Sequence, residues 1–416
     1  MSKDLKQMYK TIMDDHFPGK MEISFIDGKK RQTLHYEKVS WVIDGVNKGL
    51  RYGENPGQEA ALYKLVNGNL VLGETQTILP GRYLITDMEL LQSGKHPGKT
   101  NLTDADNALN ILRYFTDDPC VVIVKHNNPC GVARAKTLEE AYHKAYMADR
   151  VAAFGGCIAV NRPLDKATAQ AIAEQYAEVV VAPEFEEGSL YILGTRKNLR
   201  VIKINEIEKL QSFIGERIVD FKSLMDGGLV AQLSFVPQSL KKEALVLAST
   251  EYKGKTYTIN RDPTPAEYED MLFGWLVESG ISSNSVIYVK NNVTVGIGTG
   301  EQDRVGVAEI AVDKAYRKLA DRFCFEQYQI AFADLKDKEK REAIEAEVKA
   351  VNAGLRGAAM VSDAFFPFRD GIDIGLNQGI KSVIQPGGSL NDYQSIEACN
   401  EHGATMVFTG QRSFKH

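Results

Sequence analysis

The chain has 416 residues, 44% apolar and 25% charged, with a net charge of −5. That length supports two or three domains, the composition is that of an ordinary globular protein, and the acidic balance argues against nucleic acid as the main partner. The five scattered cysteines form no C-x-x-C pair, no apolar run reaches membrane-spanning length, and the polar N-terminus lacks a signal-peptide core, so a reduced, cytoplasmic setting is expected.

Residues 1–45 read as an accessory segment. Helical spacing runs over residues 5–16, followed by strands at 21–26 and 32–39 around the hairpin signal Asp27-Gly28. From Leu50 onward the pattern is α/β. A helix is expected over 103–115 with Thr103 as N-cap, then a strand at 121–124. Val121-Val122-Ile123-Val124 is β-branched throughout, the mark of a strand buried on both faces. Helices at 137–151 and 166–176 alternate with strands at 156–160 and 178–181, the last stopped by Pro183.

The same order recurs. VVIVKHNNPCGVA, from Val121, aligns without a gap with VIYVKNNVTVGIG, from Val286. Further on, Ala152-Ala153-Phe154-Gly155 parallels Ala358-Ala359-Met360-Val361, and Val179 to Pro183 parallels Ser382 to Pro386. A charged helical insert around 318–350, with a solvated face, distinguishes the second copy. An internal duplication of α/β units follows. The expected organisation is an N-terminal segment at 1–45, a first unit at 46–200, a connecting region at 201–261 and a second unit at 262–416.

Lys125-His126 ends the first buried strand. A neutral imidazole there is a usable general base near pH 7, and the lysine is a cation beside it. The second copy keeps the lysine as Lys290 but has Asn291 in place of histidine, so the fold does not itself require histidine. Arg51-Tyr52, in RYGENPG, suits an anion, although taken alone the segment reads as a surface turn. The glycines of Gly296-Ile-Gly298-Thr-Gly300 permit close backbone approach; the strand–turn–helix context of a dinucleotide site is not expected there. Phe365, Phe366 and Phe368 are either core or, with Asp363, Arg369 and Asp370, the wall of a pocket for a flat heterocycle. The turn Pro386-Gly387-Gly388-Ser389 offers N–H groups to an anion or carbonyl. Zinc-deaminase, P-loop and G-x-S-x-G motifs are absent.

In order, RYGENPGQ, VKHNNPCGVA, ADRVAAFGG, SNSV, VGIGTGEQDR, SDAFFPFRDGID, QPGGS and the terminal RSFKH resemble the AICAR transformylase (phosphoribosylaminoimidazolecarboxamide formyltransferase) family over roughly residues 46–416. The resemblance implies two tandem cytidine-deaminase-like three-layer α/β/α units without zinc, and a homodimer with sites at the subunit interface. It implies formyl transfer from the co-substrate 10-formyltetrahydrofolate to the 5-amino group of AICAR, giving FAICAR and tetrahydrofolate, with no catalytic metal; a monovalent cation is compatible with it. His126 takes the place of the general base and Lys125 that of the transition-state stabiliser. Arg51, Tyr52, Gly155, Glu178, Asn284, Arg304, Phe365 and Arg412, with His126, match AICAR-binding positions. Val305, Pro367, Asp370, Ser389 and Leu390 match the folate wall, and His416 a histidine near the site. The family often has Asp where Glu178 stands, and the usual IMP cyclohydrolase domain is not found in residues 1–45, so a monofunctional transformylase is expected. The alternatives are a catalytically silent AICAR- or folate-binding paralogue and, without its metal ligands, a nucleoside deaminase.

Overall fold

The computed structural model describes residues 5–77, 81–205 and 207–416. In chain order the principal elements begin with β1 (Lys20–Asp27), β2 (Lys30–Val39), β3 (Leu62–Gly68), β4 (Glu89–Gln92), α1 (Lys99–Leu112), β5 (Cys120–Lys125) and β6 (Asn128–Arg134). They continue with α2 (Leu138–Ala148), β7 (Cys157–Val160), α3 (Lys166–Ala173), β8 (Val179–Ala182), α4 (Ser189–Gly194) and β9 (Arg200–Lys203). Then come α5 (Pro265–Glu278), β10 (Val286–Lys290), β11 (Val293–Gly298), α6 (Arg304–Tyr328) and α7 (Lys338–Ala350). The chain closes with β12 (Ala359–Ser362), α8 (Asp370–Leu376), β13 (Ser382–Gln385), α9 (Asp392–Glu401) and β14 (Thr405–Phe408). The class is mixed α/β, as the alternating pattern requires.

Two compact units form, one of Met1–Leu109 with Gly155–Val236, the other of Asn110–Phe154 with Pro237–His416. In the first, β1 and β2 make the hairpin announced by Asp27-Gly28, with Lys30 opposite Asp27, and β3 adds on β2. Leu34 and Leu70 are its buried centre. The N-terminal helix is shorter than its spacing suggests: it spans Leu5–Met8. Beyond it the chain leaves the helical path: Met13 N donates to Arg51 O at 3.0 Å, and Asp15 pairs with Lys38 and accepts from the Phe17 N–H. Strands β7, β8 and β9 are parallel, with β4 antiparallel on β9. Helix α1 begins at Lys99, one turn before the expected Thr103 cap; the Gly98 N–H is taken by Asn101 Oδ1 at 3.1 Å, and Thr103 lies inside the helix, its hydroxyl on Thr100 O.

In the second unit the strand order is β14, β13, β12, β10, β11, β6, β5. Strands β12, β13 and β14 are parallel, whereas β10 and β11 form an antiparallel hairpin, as do β5 and β6. The two hairpins meet at Ala133 opposite Val293. Valines 121, 122 and 124 and Ile123 are fully buried, as four β-branched residues in a row predict. The core packs β10, β12 and β13 against α6, α8 and α9, with Tyr288, Met360, Phe366 and Met406 fully buried. Helix α7 belongs to the charged insert; it turns Ile344 and Val348 inward and leaves most of its charges in solvent.

The element order hairpin, helix, then three parallel strands with helices between them occurs from β5 to β9 and again from β10 to β14. Both hairpins turn through two residues at positive φ, His126-Asn127 and Asn291-Asn292. Both place a glycine against a helix carbonyl: a Cβ on Gly131 would lie 1.9 Å from Ala145 O, and one on Gly296 would lie 2.3 Å from Ala311 O. One sequence pairing is corrected. The strand that corresponds to β12 is β7, so Cys157, not Ala152, stands where the second copy's strand begins; Ala152-Ala153 closes the short helix Arg150–Ala153.

Candidate functional site

Strand β5 ends in a tight hairpin turn. The turn is His126-Asn127, and the chain returns at once as β6 through Asn128 and Pro129. A two-residue hairpin needs positive φ at both central residues, which Asn adopts readily and His less so. His126 therefore projects, exposed, from the tip of a hairpin whose strand is buried. Next to it Lys125 is anchored, donating from Nζ to Phe154 O at 2.8 Å.

Lys125 and His126 line a cavity of about 390 Å³ together with Asn128, Asp149, Lys314 and Lys318. Asp149 caps the helix Arg150–Ala153 through Ala152 N at 2.9 Å and pairs with Lys318 at 2.8 Å. Burial lowers the Lys314 ammonium from its ordinary range, opposed by the Asp149 charge. At the cavity floor, burial and then the same carboxylate push the Cys130 thiol up to about 12, so it is a poor nucleophile. With three lysines against one aspartate, the cavity is cationic and favours an anion or a developing negative charge.

A second constellation lies in the same unit. Arg304 begins α6 behind the Asp303 cap, which accepts from Gly306 N at 2.6 Å. It pairs with Asp363 and donates to Ser285 O at 2.9 Å, Ser362 Oγ at 3.1 Å and Asn284 Oδ1 at 3.1 Å. Val305 follows it, half-buried. Contrary to the sequence expectation, the glycine run before α6 does have strand–turn–helix context, since β11 leads into α6. The glycines nonetheless serve packing: Cβ atoms on Gly296 and Gly298 would strike Ala311 O and Val307 O, and only Gly300 is open, at φ +70°.

The Phe run divides. Phe366 is core, while Phe365, Phe368 and Pro367 face solvent. Arg369 is not a pocket wall: it pairs with Asp373 at 2.9 Å and Glu401 at 2.7 Å. Asp370 is exposed and accepts from the neighbouring Gly371 N at 2.8 Å. The QPGGS turn is also corrected. The N–H groups of Gly388 and Ser389 are already donated to Asp392 Oδ2, at 2.7 and 3.0 Å. Asn391 ties this turn to Pro367 O at 2.8 Å, which brings Ser389 and the exposed Leu390 beside the Phe365–Pro367 ridge. The C-terminal tail is tied down, with Ser413 N on Asp363 O at 2.8 Å and Ser283 N on Lys415 O at 2.9 Å. Arg412 stacks on Phe414, which meets His416 edge-on.

A third constellation is in the other unit. Arg51 is buried, not on a surface turn. It donates to Tyr9 O, to Lys95 O and, at 2.9 Å, to the Tyr52 hydroxyl. Burial lowers its guanidinium from the ordinary range, opposed by Tyr52 and Glu178. Glu178 accepts from Asn101 Nδ2 at 3.0 Å and from the fully buried Arg200 at 3.4 Å. Gly155, at φ +75°, packs on Tyr176, whose hydroxyl reaches Glu178 at 3.5 Å. Asn101 and Arg200 carry no sequence signal of their role; Arg200 only opens an apolar strand. Among the described residues no three His, Cys, Asp or Glu side chains are grouped to hold a metal, and no helix is long and apolar enough to cross a membrane.

A family model described as the AICARFT/IMPCHase bienzyme matches residues 11–314. The chain belongs to the AICARFT/IMPCHase family. It is similar to the bifunctional purine biosynthesis protein PurH of Persephonella marina, 36% identical over 408 residues, covering 97% of this chain and 62% of the relative. The Caldicellulosiruptor bescii protein of that name is 36% identical over 367 residues, covering 88% and 59%. The Clostridium perfringens protein is 38% identical over 384 residues, covering 92% and 60%. The chain thus spans about three fifths of the length of these relatives. Within the AICARFT/IMPCHase family frame, the three constellations combine residues singled out in the sequence with supports that were not, among them Asn101, Arg200, Lys314 and Lys318.

Proposed function

We propose that the chain transfers the formyl group of 10-formyltetrahydrofolate to the 5-amino group of AICAR, in purine biosynthesis. The observation that carries this reading is the placement of Lys125 and His126 together on one cationic cavity, with the lysine head fixed on Phe154 O. The AICAR amine is a weak nucleophile, because its lone pair is delocalised into the ring and carboxamide, so base assistance and positioning are both required. His126 accepts the amine proton as nitrogen attacks the formyl carbon. Lys125 stabilises the tetrahedral oxyanion. The bond from the formyl carbon to the folate nitrogen then breaks, and the proton passes to that nitrogen.

Arg51 and Arg412 suit the nucleotide phosphate. Asn284 both gives and accepts hydrogen bonds, matching a carboxamide. Tyr52, Gly155, Glu178, Arg304 and Phe365 complete the AICAR set, and Val305, Pro367, Asp370, Ser389 and Leu390 the folate wall, with His416 close by. The same reading takes 46–200 and 262–416 as tandem cytidine-deaminase-like units, joined by 201–261 and preceded by 1–45, in a cytoplasmic homodimer with sites at the subunit interface.

Incubation with AICAR and 10-formyltetrahydrofolate, followed by tetrahydrofolate absorbance, tests it. FAICAR should accumulate. His126→Ala should lower kcat by about 10²–10⁴-fold, the range for a lost general base, while AICAR still binds. Tight AICAR binding with no turnover in the unmodified chain would instead identify a silent binding protein.

A further inference from the structure

Helix α5 ends on a buried acid outside the set assigned above. Glu278 is fully buried. Its Oε1 accepts from the Ser285 hydroxyl, and its Oε2 has no hydrogen-bond partner among the described residues. Ser285 is also gripped through its main chain: its N–H donates to Asp363 Oδ2 at 3.2 Å and its carbonyl accepts from Arg304 Nη1 at 2.9 Å. Asp363 is fully buried as well, and pairs with Arg304. Arg304 Nη2 in turn meets Asn284. One buried carboxyl group therefore holds the guanidinium directly, and a second is linked to it through Ser285.

Of the two, only Asp363 is in an ion pair among the described residues. Arg304 contacts Asp363 directly, whereas Glu278 reaches only the Ser285 hydroxyl. A carboxylate buried with an oxygen unpartnered is costly, and a second like charge beside Asp363 adds to that cost. Burial first, then the Asp363 charge, push the Glu278 carboxyl well above its ordinary range, against the Ser285 hydrogen bond and the Arg304 charge.

We propose that Glu278 is a positioning residue held as the neutral acid: it fixes Ser285, and thereby the Arg304–Asn284 pair, without competing with Asp363 for the guanidinium. An ionised Glu278 would draw Arg304 toward α5 and away from Asn284. The consequence for binding rests on the proposal that Asn284 and Arg304 hold AICAR; the protonation state does not.

Infrared difference spectra of the intact chain, unmodified minus Glu278→Gln, test the protonation state at neutral pH. The carbonyl stretch of an un-ionised carboxyl is expected. Carboxylate bands in its place overturn the proposal and indicate a counter-cation at Glu278. In kinetics, Glu278→Ala should raise KM for AICAR about fivefold, the loss of one positioning hydrogen bond, with kcat little changed. Glu278→Gln, a neutral isostere, should stay near the unmodified KM. A glutamine variant as impaired as the alanine variant, or no KM change in either, overturns the positioning role. Should Glu278→Ala fail to fold, the glutamine variant and the infrared band still decide. A chain that shows the band but transfers no formyl group would sink the functional reading and leave the neutral acid standing.

Discussion

His96 shows how far a single residue's environment departs from its sequence neighbourhood. Ser-Gly-Lys-His-Pro reads as a polar loop, yet the imidazole is buried, with Nε2 donating to Gly49 O at 2.7 Å and Nδ1 facing Ser93 Oγ at 3.1 Å. Burial holds it below the ordinary histidine range, opposed by the Gly49 hydrogen bond, with the Arg51 and Arg200 charges adding to the depression. A group lowered in the folded state takes its proton first in the unfolded chain. Its contribution is therefore complete above the unfolded value, about 6.5, and is lost as pH falls below it. Urea unfolding at pH 7 and pH 5 should show a smaller loss of stability for His96→Gln than for the unmodified chain; identical pH slopes would remove His96 as the cause. Arg200 behaves alike: nothing in Leu-Arg-Val-Ile-Lys marks a buried guanidinium serving Glu178, because the partners come from distant segments.

At the scale of elements, the duplicated hairpins explain which features belong to the fold. The lysines, the positive-φ turn and the glycine occur in both copies, and each has a backbone reason. Lys125 and Lys290 both end on main-chain carbonyls, Phe154 O and Arg356 O. Gly131 and Gly296 let a helix carbonyl approach closer than any Cβ allows. Gly131→Ala and Gly296→Ala should each cost about 1–3 kcal/mol or more, as overpacked positions do, seen as a lower denaturant midpoint; an unchanged midpoint would mean that the helices slide freely on the hairpins. The histidine alone has no such backbone reason. Its turn would accept a second asparagine, as Asn291 demonstrates, which is why His126 stands out as chemistry.

At the scale of the whole molecule, the residues proposed for AICAR divide between the units: Arg51, Tyr52, Gly155 and Glu178 in one, His126, Asn284, Arg304, Phe365 and Arg412 in the other. If one dimer interface joins sets from two subunits, inactive variants should complement each other. Refolding Arg51→Ala with His126→Ala in equal amounts should restore up to about a quarter of full turnover, since half of the dimers are hybrids with one intact site each. Absence of recovery would remove the shared-interface reading.

By itself the sequence determined the alternating α/β pattern, the duplication and the Lys125-His126 pair. These are local signals: β-branched runs, turn residues and a repeated motif need only their near neighbours. It also marked Arg51, Arg304 and the Phe365–Pro367 ridge by family likeness. Only the tertiary structure decided that Arg51 is buried, that Arg369 serves Asp373 and Glu401, that the Gly388-Ser389 amides belong to Asp392, and that Glu278 lies against Ser285. Each of these depends on which distant group arrives to satisfy a charge or an N–H. No spacing encodes that arrival; the packed backbone sets it.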